Sequence, residues 1–256
     1  MIINGVFQPL ILLLLFLVGL IAGLVDSIAG GGGLITIPVL LGIGLPPQAA
    51  LATNKLQASF GSGSAMLTFI RHGTVKLKDC LEGITFTALG AVLGTYTVQL
   101  MDPSFLRMII PWLLIFIVCY TMLTPRLGYT DVHPRIRRDA FFIVLGLVLG
   151  FYDGFLGPAT GSFWVMALIF GLGLNMTTAT GYTKVMNFTS NFASLLLFIW
   201  GGAVCWREDL LMGLGQFIGA RIGARLVVNK GTRFIRPVFI TMVLAISVKL
   251  IWQNYH

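Results

Sequence analysis

The stretch Gly23-Leu24-Val25-Asp26-Ser27-Ile28-Ala29-Gly30-Gly31-Gly32-Gly33 decides how this chain folds. It sets an acid, a hydroxyl and four consecutive glycines inside an apolar run from Leu10 to Leu45 that carries no other charge. Four glycines forfeit helix propensity, about 1 kcal/mol each relative to alanine. In hydrocarbon, backbone that leaves the helix exposes polar groups that lipid cannot satisfy, so a break must lie against protein or water. An aspartate at such a break is a functional-site candidate. The stretch therefore predicts a broken membrane helix with a polar purpose.

Composition places the rest of the chain in the same environment. Of 256 residues, 57% are hydrophobic and 10% charged, against about 25% charged in soluble domains. The mean hydropathy is +0.92. Apolar runs cover nearly the whole length, so the expectation is an all-α polytopic membrane protein. The net charge of +8 would suggest nucleic acid in a soluble chain. Here the basic residues gather in loops, which is a topology signal and excludes a nucleic-acid partner. Cys80, Cys119 and Cys205 lack C-x-x-C spacing and imply neither a disulfide framework nor a metal site. Ser27-Ile28-Ala29 loosely matches a signal-cleavage site, but the N-terminus has no basic region and the same residue pattern recurs inside the chain.

Glycine, proline and charge clusters divide the chain into ten apolar segments: 7–29, 34–45, 47–70, 79–100, 104–124, 138–155, 161–174, 176–200, 208–228 and 233–252. Eight suit a crossing, which takes about 20 residues. The two short ones, 34–45 and 161–174, follow Asp26 and Asp153 and read as half-helices. The order repeats. Gly23 to Gly30 aligns with Gly150-Phe151-Tyr152-Asp153-Gly154-Phe155-Leu156-Gly157, and Ala52 to Lys55 aligns with Gly181 to Lys184. Residues 1–124 and 139–256 thus form two five-segment repeats joined by a basic linker, 125–138. If the short segments cross, the halves are inverted, and twelve basic residues fall on one side with three opposite. If they turn back, the split is nine to six, and the chain has eight crossings rather than ten. The positive-inside rule favours inverted halves with both termini outside. Glycines four apart, such as Gly90 and Gly94 or Gly215 and Gly219, serve close helix packing.

The residues that bear chemistry sit at matching positions. Lys55 and Lys184 each lie near the start of a long apolar segment. Lys184 heads a polar stripe with Asn187, Asn191 and Ser194; Lys55 does so with Ser59 and Ser62. A lysine there either snorkels to the headgroups or faces a polar cavity. Asp26 and Asp153 have two open roles. Each either neutralises a lysine or carries a proton, since desolvation favours the neutral form of a carboxyl group. The expected partner of each break is the lysine some 30 residues downstream in its own half. Gln57, Tyr182, Thr183 and Gln216 are polar neighbours. The run Gly31-Gly32-Gly33 lacks G-K-[ST] and is no nucleotide loop. It frees backbone N–H groups at a half-helix N-terminus, which carries about half a positive charge. Two such ends with two lysines would make an anion site, as in many secondary transporters. No catalytic or metal-binding constellation is visible, and no cofactor is expected. The chain reads as a non-enzyme whose partners are a small anion, membrane lipid and a possible second copy of itself. A passive channel and a non-transporting scaffold or sensor stay open.

Asp26 to Gly33, the stretch Pro46-Pro47-Gln48-Ala49-Ala50-Leu51-Ala52-Thr53-Asn54-Lys55, and the stretch Thr183-Lys184-Val185-Met186-Asn187-Phe188-Thr189-Ser190-Asn191 together resemble the TauE/SafE family. That family is also called the toluenesulfonate uptake permeases. The resemblance covers nearly the whole chain. It departs from the family's Gly-Thr-Ser-Leu type sequence at Thr53-Asn54-Lys55-Leu56, which marks a subgroup. It implies secondary transport of sulfur-containing anions such as sulfite, sulfoacetate or sulfonates across the bacterial cytoplasmic membrane, and the expected coupling is to a proton carried by Asp26 or Asp153. Lys55, Lys184, Asn54, Thr183, Asn187, Asn191 and Gly31 to Gly33 would then contact the anion.

Overall fold

The computed structural model describes residues 8–106, 108–110, 112 and 136–230. Segment 233–252, most of 104–124 and the linker as far as 135 lie outside the described residues. The orientation of the termini therefore stays an expectation. The described chain is helical throughout, without strands: α1 Gln8–Ala29, α2 Gly32–Gly42, α3 Pro47–Arg71, a 3-10 turn Leu77–Cys80 and α4 Leu81–Gln99. After residue 136 come α5 Arg138–Phe155, α6 Thr160–Leu172, α7 Met176–Trp200 and α8 Trp206–Lys230. A long helix, a break, a short helix and two long helices thus follow one another twice.

Among the described residues, three helical stretches are long and apolar enough to cross a membrane: Leu10–Ile28, Leu77–Gln99 and Asp209–Lys230. The 25-residue α3 and α7 have the length but turn polar groups inward, which lowers their hydropathy. At 1.5 Å per residue, α2 and α6, with 11 and 13 residues, are about 16 and 20 Å long. Neither crosses about 30 Å of hydrocarbon alone.

Burial is inside out relative to a soluble protein. Leu13, Leu17 and Ile21 on α1, Leu89 and Leu93 on α4, Val144 and Val148 on α5, and Leu214, Ile218 and Ile222 on α8 face outward. Lys55 and Lys184, by contrast, are wholly buried. Lipid-facing helices wrap a polar interior, and α3 and α7 form that interior.

The wrapping helices pair across the two halves. α1 lies on α8, and α4 lies on α5. Glycines set both distances. A Cβ at Gly19 or Gly23 would land on the α8 backbone at Met212 or Gln216. One at Gly90 or Gly94 would land on the α5 backbone at Leu147 or Phe151. Without a hydrophobic force between helices in lipid, such close backbone contact supplies the van der Waals attraction.

Candidate functional site

α1 ends at Ala29, and the Gly30 N–H closes its last turn on the Asp26 carbonyl at 2.7 Å. Gly30 then takes φ +76°, a left-handed value that glycine accepts without Cβ strain. A Cβ at Gly30 would also strike the backbone of Gly161 and Ser162, and one at Gly161 would come within 2.5 Å of the Gly30 Cα. The two breaks therefore touch, backbone to backbone. Gly33 faces Pro158 across the same contact.

Lys55 is the ninth residue of α3 and Lys184 the ninth of α7, about 12 Å along each helix from its start. From there each reaches the break of the other half. Lys55 Nζ donates to Asp153 Oδ1 at 2.7 Å and to the Asp153 carbonyl. Lys184 Nζ donates to Asp26 Oδ2 at 3.0 Å and to the Asp26 carbonyl. The expected pairing within each half is thus corrected: the ion pairs cross. α3 and α7 pack on each other and the two breaks touch, which brings each lysine within reach of the opposite aspartate. Each ammonium also caps the carbonyl end of a broken helix, where the helix dipole is negative.

The two carboxylates finish differently. Asp26 Oδ1 accepts from the Gly32 N–H at 3.3 Å, so this side chain bridges the break to the first turn of α2. Asp153 Oδ2 instead accepts from the Ser190 hydroxyl on α7. On the other side of the second break, Thr160 Oγ1 donates to the Gly157 carbonyl at 2.7 Å. Pro158 brings no N–H to that N-terminus.

The remaining expected site residues divide into two groups. Asn54 is held, its Oδ1 accepting from Thr36 at 2.8 Å and Gln57 at 2.9 Å. Asn191 turns back on its own helix, donating to the Asn187 carbonyl at 2.7 Å. Gly31 is the outlier of its run, since a Cβ there would meet only Leu34 at 3.6 Å. Thr183 Oγ1 and Asn187 Oδ1 are buried and bond to no described residue. Asn187 stands beside the touching breaks, with its Nδ2 2.9 Å from a Cβ placed on Gly161. Gln57 Oε1 and Gln216 Oε1 are likewise buried without a bond to any described residue. Tyr182 points elsewhere, donating to Asp79 Oδ2 at 3.2 Å, with Arg138 over its ring.

Two polar residues stand out that spacing alone did not single out. Ser190 is one; it lay in a quoted motif, but only the fold shows it facing Asp153. Asp209 is the other. It is fully buried at the start of α8, with Oδ1 accepting from Thr53 at 2.6 Å and Oδ2 from the Cys205 N–H at 3.2 Å. An acid on the first turn of a helix, four residues after the capping position, is the sequence signal that would have found it.

Lipid-facing outer helices around two crossed, buried charge pairs define a multi-pass α-helical membrane protein with a polar site at its centre. Residues 15–250 match the family model described as sulfite exporter TauE/SafE. The chain belongs to the TauE/SafE family. It is 46% identical over 254 residues to the probable membrane transporter protein YfcA of Escherichia coli, covering 98% of this chain and 94% of that one. It is 44% identical over 246 residues to the probable membrane transporter protein ORF9 of a Sinorhizobium species, with 96% and 94% covered. A probable membrane transporter protein of Haemophilus influenzae is 43% identical over 244 residues, with 95% and 96% covered. No solved structure matches the chain.

Proposed function

We infer that this protein is a proton-linked secondary transporter of small sulfur-containing anions, such as sulfite, sulfoacetate or other sulfonates, in the bacterial inner membrane. The family's description supports the sulfur oxyanion, and the relatives' names support transport. The observation that carries the reading is the crossed pair of buried lysines at two touching helix breaks. A buried lysine costs several kcal/mol of desolvation unless an anion compensates it. Here each compensating carboxylate can itself be made neutral by one proton. An incoming monoanion can then replace a carboxylate on its lysine without changing the charge of the site.

Broken helices suit the task because their ends present polar backbone that needs no side chain. Sulfite and sulfonates offer three oxygens, matching an ammonium, a backbone N–H and a hydroxyl or amide donor.

Counterflow in proteoliposomes tests the reading. Vesicles loaded with unlabelled sulfite or sulfoacetate should accumulate the labelled anion, saturably and faster with an inward proton gradient. Lys184→Ala should abolish that uptake in protein that still inserts. Linear, unsaturable flux in the wild type would identify a passive channel instead.

A further inference from the structure

The two ion pairs are related in position but unequal in their surroundings. Lys55 and Asp153 are sealed, with side-chain exposures of 1% and 3%. Lys184 is equally sealed, but the Asp26 side chain is 13% exposed. Both Asp153 oxygens have side-chain donors, Lys55 and Ser190. Asp26 has Lys184 and one long bond, 3.3 Å, from the Gly32 N–H. Asn54, next to Lys55 in sequence, lies against Gly33 of the first break, its Oδ1 held by Thr36 and Gln57, while Gln57 Oε1 bonds to no described residue. Near Lys184, the Thr183 hydroxyl is buried without a partner among the described residues, and Asn187 aims its Nδ2 donor at the touching breaks, 2.9 Å from a Cβ placed on Gly161. A buried polar group without a partner costs about 1–3 kcal/mol, so a site retains it where a ligand completes it.

We propose that only one arm of the two-fold site works: the anion accepts from Lys184, the Thr183 hydroxyl, Asn187 Nδ2 and the Gly32 N–H in place of a protonated Asp26, while Lys55–Asp153–Ser190 is a fixed strut. This rests on the transport reading above and says which half of the site performs it. The charges balance. Asp26 takes one proton from water and releases Lys184, and a monoanion (bisulfite, or sulfoacetate with its carboxyl protonated) takes its place, so the arm stays neutral before and after. On the far side the anion leaves, Asp26 returns its proton to water and closes again on Lys184.

The charged neighbours of Asp26 do not compete. Its cation is Lys184 of α7. The helices α2 and α6 contain no ionisable side chain. On α8, which packs along α1, Arg221 and Arg225 are exposed. On α3, Lys55 is engaged with Asp153 beside Gly157.

The test is a hydrophobic carbodiimide, which modifies protonated carboxyl groups reached from lipid or a cavity, with the sites located by mass spectrometry on the purified full-length protein. Asp26 should be modified and Asp153 spared, and added sulfite or sulfoacetate should suppress the modification of Asp26. In proteoliposomes, Asp26→Asn should lose the pH dependence of exchange. Ser190→Ala should lower the thermal midpoint and keep the wild-type pH profile. Modification of Asp153, alone or equally with Asp26, would overturn the inference and leave the transport reading standing. So would a flat pH profile in Ser190→Ala, which does not depend on Asp153 variants folding. Modification of Asp26 alone, protected by neither anion, would overturn the anion reading and with it the occupant proposed for this arm.

Discussion

The break after α1 and the break after α5 solve one problem in two ways. Each interrupts a helix inside the membrane, each is met by a lysine from the other half, and each leads into a short helix. At the first, four glycines leave the backbone bare, and Asp26 spans the gap to the Gly32 N–H. At the second, Pro158 and Thr160 settle the new N-terminus locally, and Asp153 turns to Ser190. The difference teaches that a matched architecture need not give matched duties. The second break is bonded shut by its own residues, whereas the first depends on one partly exposed carboxylate.

The sharpest way to break this comparison is to remove one lysine at a time. Lys55→Ala leaves the Asp153 charge sealed without a cation, which should cost about 3–5 kcal/mol. Lys184→Ala should cost less, because the Asp26 carboxylate retains some solvent and the Gly32 N–H. Thermal unfolding of the two variants in detergent reads the difference; equal losses would erase the distinction. The double variant Lys55→Ala with Asp153→Ala should recover much of the single loss, because it buries no uncompensated charge.

Ser190→Ala removes a hydrogen bond to a buried carboxylate and should cost about 1.5–3 kcal/mol. Ser59→Ala is its control. That hydroxyl bonds only the Lys55 carbonyl of its own helix, at 2.7 Å, and its loss should leave the midpoint nearly unchanged. Gly161→Ala tests whether the breaks must touch. Its methyl would press on the Gly30 backbone, an overpacking of about 1–3 kcal/mol that should also slow anion exchange by moving α6. The smallest effect concerns the central helices. The N-cap side chain of α7, Asn175, accepts from the Thr178 N–H at 2.9 Å, whereas α3 begins at Pro46 without a side-chain cap. Asn175→Ala should therefore cost about 1 kcal/mol, with no equivalent loss available in α3.

Much of this was legible in the order of residues. Apolar runs bounded by charge and proline marked 138–155 and 176–200 to the residue, and the short helices to within three residues at either end. Lys55 and Lys184 were found because they stand at matching positions and each heads a polar stripe in an otherwise apolar segment. The crossing of the pairs was not legible. Spacing along the chain favours the nearer lysine, and only the contact of α3 with α7 and of one break with the other brings the opposite aspartate within reach. Tyr182 shows a second limit. It is two residues from Lys184, and at 100° per residue that separation turns a side chain to the far side of a helix. Asp209 drew no reading from its spacing; its burial against Thr53 is a property of the α3–α8 contact.

The crossing also sets a timetable for biosynthesis. Asp153 follows Lys55 by 98 residues, and Lys184 follows Asp26 by 158. At about 5–20 residues per second, Asp26 leaves the ribosome roughly 8–30 s ahead of its partner. Until Asp153 follows, the emerging chain holds an acid and a base with no lasting partner for either. It must pair them with each other, a bond the finished protein does not contain, or keep them in the aqueous path of the insertion machinery. A product truncated before α5 would therefore expose two bare charges to lipid, and a quality-control protease needs no better mark.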